Sequence, residues 1–410
     1  MPSTPTPVTG NTELTQPENR VFYPALDGLR AIAFLLVFLQ HYFQFPWGWT
    51  GVNIFFVLSG FLITGILYDS RNDEHKARNF YVRRTLRIFP LFYAVFLMLL
   101  LLYPAFHWHW SAYWIAWPLY IANFLPCLSS AVSTNGSDLQ LAAFGWIHPA
   151  GVPNFCFYFG HFWSLCVEEQ FYFIWPWIVF GVRSRRTLTY ICGTVVILVP
   201  VARVLCQHTA PTWLLHADLL DRSTPFQIDS LLLGALVALA VRGPNSHRLY
   251  SIGKVVAAFT FVVALSVLLS GIARSYPDWR SGYVYPEWKF TWGLTLIDFL
   301  SAGIITLALH QSNWIHRVLR LRTLRWIGRI SYGAYVFHDI FHDVYTGIVA
   351  LIAMHVRFVA SHAVLFVGIL GLACTLLISW LSFECFESIF LNYKERWTIR
   401  PASQSSARFS

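Results

Sequence analysis

The sequence predicts an all-α integral membrane protein, a polytopic bundle of about ten transmembrane helices. Three observations lead there. Only 12% of the 410 residues are charged and 56% are hydrophobic, against about 25% charged in soluble domains. Aromatic residues make up 18%, with 18 Trp and 19 Tyr, rings that settle at the two membrane interfaces. Apolar runs long enough to cross about 30 Å of hydrocarbon recur along the whole chain.

Those runs fall at residues 28–45, 51–68, 86–104, 163–182, 187–206, 225–241, 253–272, 290–310, 328–353 and 360–383. Residues 1–20, with four Pro and little apolar content, read as a disordered cytoplasmic tail and lack the basic-then-apolar layout of a cleaved signal peptide. A transmembrane domain over 21–392 and a cytoplasmic tail over 393–410 complete the division. The apolar stretch 113–126 reads as interfacial or re-entrant, because a further crossing there would put Arg183, Arg185 and Arg186 outside. With the N-terminus inside, 23 of the 29 Lys and Arg fall on the inner side. That asymmetry predicts both termini in the cytoplasm and a long extracytoplasmic loop over about 104–162, which holds Cys127, Cys156 and the sequon at Asn135. The spacing leaves open whether those two cysteines pair.

The net charge of +9 is accounted for by orientation and gives no reason to expect nucleic acid. None of the seven Cys forms a CxxC pair or a Cys/His spacing suited to a metal, so no metal site is expected. There is no GxSxG elbow, P-loop, HExxH or GxGxxG after a strand. Hydrolase, nucleotidase and metalloprotease readings lose their support.

Ionisable groups inside spans are costly and therefore mark function by default. In the first span, Arg30 and His41 are eleven residues apart, close to three full helical turns. They share one face about 16 Å apart. His41 fits either a proton-transfer group or a histidine hydrogen-bonded within the bundle. In the ninth span, Ser331, Tyr335, His338 and His342 fall on one helical face with Asp339 and Asp343 alongside, a stripe that must line a cavity or meet other polar helices. Where the third span enters the membrane, Arg83, Arg84 and Arg87 stand at helical spacing. Guanidinium forks one turn apart suit a phosphate group, although a positive-inside anchor has the same pattern. At the start of the fourth span, His161, Trp163, Ser164, Glu168, Glu169 and Tyr172 lie within about three turns. Glu168 and Tyr172 are i,i+4 neighbours, a spacing that orients a carboxylate.

In order, the stretches LDGLRAIAFLLVFLQH, GVNIFFVLSGFLITGIL, FYVRRTLRIFPLFY, HFWSLCVEEQFYFIWP and ISYGAYVFH resemble the acyltransferase 3 family, membrane O-acyltransferases that include bacterial O-antigen acetylases. The resemblance runs over about residues 22–392. It implies a catalytic role for Arg30 and His41 and an acyl-coenzyme A role for Arg84 and Arg87. Asn53 stands where that family usually has Asp, His338 is followed by Asp339 rather than Trp, and the segment around Glu387 lacks the usual Glu-Arg-Pro ending.

The resulting expectation is a multi-pass protein of the bacterial cytoplasmic membrane that moves an acyl group, acetyl in the first instance, from cytoplasmic acyl-coenzyme A. The acceptor is a hydroxyl of a sugar, a lipid-linked glycan or a cell-surface glycan. Acyl-coenzyme A is expected as co-substrate, with no bound cofactor, and membrane lipids are the other partner. The catalytic set is His41, as general base or acyl carrier, with Arg30, Glu168 and His338. Arg84 and Arg87 bind the donor, and Tyr172, Trp163, Ser164, Tyr335 and Asn53 orient the site. The rival from another class is a proton-coupled secondary transporter, since many spans with buried His and Asp also suit proton coupling. No internal repeat or pair of Gly/Pro-broken helices favours it.

Overall fold

A computed structural model describes residues 23–107, 110–132, 138–148, 155–211, 219–273 and 288–399. The two predicted tails, the sequon at Asn135 and the cations Arg274 and Arg280 lie outside these residues, apart from 393–399 at the start of the second tail.

The described chain is overwhelmingly helical. Helix α1 spans Pro24–Phe43, with Pro24 at its first turn, where a fixed φ and a missing N–H cost nothing. Helix α2 spans Thr50–Asp69 and α3 spans Lys76–Phe106. The third predicted run covers only part of α3, whose first turns carry the arginines beyond the apolar stretch. Then come α4 (Trp163–Gly181), α5 (Arg185–Thr209), α6 (Ile228–Val241), α7 (Ser246–Ala273) and α8 (Leu294–Leu309), the last preceded by a π turn over Lys289–Gly293. Helices α9 (Ser331–Phe337), α10 (His342–Ala353) and α11 (Ala363–Ser382) complete the apolar set, followed by a terminal helix over Ser388–Trp397.

Seven of the described helices are long and apolar enough to cross a membrane, or eight if the bent pair α9 and α10 is one span. The expected ten included two more, and each falls short for a visible reason. Glu168, Glu169 and Gln170 lower the hydropathy of α4. The 14 residues of α6 rise only about 21 Å. The ninth predicted span does not run straight either. It breaks after Phe337, and α10 leaves at 68°, so His342 does not continue the helical face that carries Ser331 and Tyr335.

The stretch 113–126 folds into two 3₁₀ turns, Ala112–Ala116 and Ala122–Phe124, rather than a crossing helix. Beyond it, β1 (Trp146–Ile147) pairs antiparallel with β2 (Phe157–Tyr158). Arg203 is fully buried and ion-paired with Asp229. Lys289 is likewise buried, 2.9 Å from Asp221.

Helix α2 is the hub of the bundle and packs against α1, α4, α6 and α8. Its crossing with α6 is the tightest. A Cβ on Gly60 would stand 1.8 Å from the Leu231 carbonyl oxygen, and one on Gly234 would stand 1.9 Å from that of Val57. Small residues let backbones approach in this way where lipid supplies no hydrophobic drive between helices. The crossing fixes α2, and with it Asn53 and Ser59, against the rest of the core.

Candidate active site

Two polar cavities lie back to back in the bundle. The first, of about 380 Å³, is lined by Arg30 from α1, Ser59 from α2, Arg83, Arg84 and Arg87 from α3, and Ser164 and Glu168 from α4. Its charged groups are held in place by their neighbours. Arg30 Nε donates to Ser331 Oγ at 3.1 Å, and the Ser59 hydroxyl donates to Glu168 Oε1 at 2.5 Å. The Arg84 guanidinium lies 3.8 Å above the buried Tyr172 ring, a planar stacking that suits arginine. The sequence spacing pairs Tyr172 with Glu168; in the structure the carboxylate is held by Ser59 and the Tyr172 ring lies under Arg84.

The second cavity, of about 470 Å³, is lined by His41, Asn53, His161, Trp163, Asp339 and the aromatic rings of Trp49, Trp146 and Tyr158. Asp339 sits in the bend between α9 and α10. Its Oδ2 is 3.1 Å from His41 Nδ1 and 3.8 Å from His161 Nδ1. A carboxylate on Nδ1 holds that nitrogen as the N–H donor and leaves Nε2 as the basic one. His161 Nε2 is in turn 3.2 Å from the Val336 carbonyl oxygen.

His338 does not line either cavity. It is fully buried behind the other two rings, edge-on to His41 at 4.9 Å and to His161 at 4.6 Å between ring centroids. Its Nδ1 donates to the Tyr335 carbonyl at 2.7 Å, and Tyr42 donates its hydroxyl to the His338 carbonyl. His338 therefore braces the cavity wall.

Tyr335 lines both cavities. Its hydroxyl donates to the His161 carbonyl at 2.9 Å and lies 2.5 Å from Ser164 Oγ. With Val52, which also lines both cavities, the ring lies between Arg30, Arg84 and Arg87 on one side and His41 and His161 on the other. Arg30 and His41 thus share a helix face but not a cavity, and Glu168 stands with Arg30. The predicted catalytic set is thus divided: Arg30 and Glu168 on one side, His41 on the other, and His338 in neither cavity. Asn53 lines the histidine side while donating to Asp298 Oδ1 at 2.8 Å; Asp298 also accepts from Ser230 at 2.8 Å. That network anchors α2 to α6 and α8.

Asp343, which the sequence sets alongside the polar stripe, goes elsewhere. Its Oδ2 accepts from the Cys156 backbone N–H at 2.9 Å and from the Tyr158 hydroxyl at 3.3 Å, tying the strand pair to the start of α10. Burial pushes the Cys156 thiol up to about 12, so it stays protonated and is no nucleophile. The sequence-based site omits Asp339 and His161 as participants. Their only sequence signal was company: Asp339 beside His338, His161 opening the fourth span.

A multi-pass membrane bundle with a cationic cavity and a histidine–carboxylate cavity on either side of one tyrosine defines the class. The chain belongs to the acyltransferase 3 family: a family model described as an acyltransferase domain matches residues 23–383. Among curated relatives, the peptidoglycan O-acetyltransferase OatA of Listeria monocytogenes is 26% identical over 394 residues, covering 92% of this chain and 57% of the relative. YrhL of Bacillus subtilis, whose name gives the same reaction provisionally, is 29% identical over 334 residues, covering 77% of this chain and 48% of the relative. The chain thus spans about half the length of the curated relatives it matches. No solved structure matches it with significance.

Proposed function

We propose that this chain is the membrane-embedded catalytic part of an O-acetyltransferase. It takes an acetyl group from acyl-coenzyme A held in the arginine cavity and passes it to a hydroxyl of a sugar or lipid-linked glycan held in the histidine cavity. The observation that carries this reading is Tyr335, one side chain that walls both cavities. The relatives' names support a glycan acceptor, and the rings of Trp49, Trp146 and Tyr158 offer the faces on which sugars stack.

In this mechanism the acceptor hydroxyl attacks the thioester carbonyl carbon. Its proton passes to His41 Nε2 as the new C–O bond forms. The C–S bond then breaks, and the departing thiolate recovers a proton from the imidazolium, so the products are the ester and coenzyme A. Asp339 holds the His41 tautomer and stabilises the transient imidazolium, as a carboxylate does for a catalytic histidine elsewhere. Arg84 and Arg87 hold donor phosphates as guanidinium forks, and Arg30 and Glu168 line the same cavity. The 23 to 6 distribution of Lys and Arg supports a cytoplasmic donor side in a bacterial inner membrane, with both termini inside.

The test is acetyl transfer by protein purified into lipid nanodiscs, given radiolabelled acetyl-coenzyme A and glycan fragments, with mass-spectrometric detection of the ester. Label appearing on the glycan is the expected result. Proton-coupled solute uptake into vesicles with no consumption of acetyl-coenzyme A would replace this reading with the transporter.

A further inference from the structure

The arginine cavity has a wall that the family match does not include. The match stops at residue 383, yet Leu391 and Lys394, on the terminal helix Ser388–Trp397, line the same cavity as Arg84 and Arg87. This helix packs along α3, and a side-chain clamp fixes its far end. Asn79 Nδ2 donates to the Ile399 carbonyl and Ile399 N–H donates to Asn79 Oδ1, each at 2.9 Å. Asn79 lies on α3 one turn before Arg83. The element that presents the arginines thus also grips the segment that presents the lysine.

Resting on the donor reading above, we infer that Lys394 is a donor-binding residue that meets a phosphate of acyl-coenzyme A at the end of the cavity away from Tyr335. The chemistry fits a ligand with several separated phosphates. Arg84 and Arg87 give planar forks from α3, and Lys394 gives a compact point charge from the terminal helix packed along it. Anchoring by Asn79 sets the height of that ammonium relative to the arginines. A basic residue placed only for orientation would have no need to face this cavity.

The experiment measures binding of coenzyme A by isothermal titration to the full chain in nanodiscs. Lys394→Gln should weaken binding about tenfold, as for one lost charge-assisted contact, and Lys394→Arg should recover most of it. Dephospho-coenzyme A, which lacks the ribose 3′-phosphate, should bind wild type and Lys394→Gln within twofold of each other if Lys394 meets that phosphate. If it meets the diphosphate, the tenfold gap should persist with this ligand. Should Lys394→Gln fold poorly, wild-type protein photolabelled with a diazirine on the adenine of coenzyme A should carry the label on the peptide containing Leu391 and Lys394. Binding of coenzyme A that is lost in Arg84→Ala but unchanged in Lys394→Gln, or photolabel found only elsewhere, overturns the role of Lys394 and leaves the donor reading standing. Failure of the wild type to bind coenzyme A overturns the donor reading itself.

Discussion

One carboxylate oxygen of Asp339 serves two histidines from different parts of the chain, His41 Nδ1 at 3.1 Å and His161 Nδ1 at 3.8 Å. The distances rank the two rings. The first is a hydrogen bond; the second is ionic proximity only. Asp339→Asn should therefore lower kcat by about 10²- to 10⁴-fold with little change in either KM, because an amide no longer enforces the His41 tautomer. His161→Gln should cost less than tenfold. Steady-state kinetics on both variants at matched abundance checks the ranking, and the reverse order would assign the base to His161.

His41 itself is tested by its own pair of substitutions. Loss of a general base typically costs about 10²- to 10⁴-fold in rate, so His41→Ala should be nearly inactive while inserting and accumulating normally. His41→Gln keeps hydrogen-bonding capacity but takes up no proton near neutral pH, and it should be as inactive as alanine. Wild-type turnover in the glutamine variant would reduce His41 to a packing residue.

For the donor, Arg84→Ala combined with Arg87→Ala should raise KM for acetyl-coenzyme A far more than KM for acceptor. Each lost charge-assisted contact is worth about 1.5–3 kcal/mol, roughly ten- to hundredfold. Lysine at both positions should recover only part, since Arg84 also stacks on Tyr172 at 3.8 Å and an ammonium replaces a planar fork. If the double variant inserts poorly and keeps normal kinetics, these arginines are topological anchors.

Stability should follow the α2–α6 crossing. Gly60→Ala drives a Cβ against the Leu231 backbone oxygen, an overpacking that costs about 1–3 kcal/mol. Its melting midpoint in detergent should fall by several degrees. Gly193→Ala, with nothing within 4 Å of the added carbon, should leave it unchanged or slightly raised through helix propensity. Equal midpoints for the two would mean that α2 and α6 part more readily than their contact implies.

Orientation is checked by single cysteines in a background without the native ones. His316 is buried, its Nδ1 2.6 Å from the Ala308 carbonyl oxygen, so its exposed neighbour Arg317 is the useful inner probe. An impermeant maleimide should label Asp138→Cys in intact cells and Arg317→Cys only after lysis. Labelling at 317 from outside would invert the bundle.

Part of the cavity lining was legible in the sequence: Arg30, His41 and Glu168 stood out because charge inside an apolar run is expensive, and Arg84 because it stands at helical spacing with Arg83 and Arg87 where the third run begins. The eleven-residue arithmetic for Arg30 and His41 needs only an unbroken helix, and α1 is one. Two features were beyond it. The partnership of Asp339 with His41 depends on the 68° break after α9, whereas the helical projection of Ser331, Tyr335, His338 and His342 assumes a straight helix. The division of the polar residues between two cavities depends on where the Tyr335 ring falls, a matter of packing between α4 and α9 that no single-helix pattern contains.

The bend after α9 also has a consequence for how such a protein diversifies. Asp343, at the start of α10, grips the strand pair through Cys156 and Tyr158, four residues from the carboxylate that bonds His41. The strand segment is thereby fastened beside the histidine cavity by a joint that involves neither His41 nor His161. Insertions, deletions and new side chains in that segment are expected to alter the lining that Trp146 and Tyr158 give to the histidine cavity while leaving the Asp339–His41 contact in place.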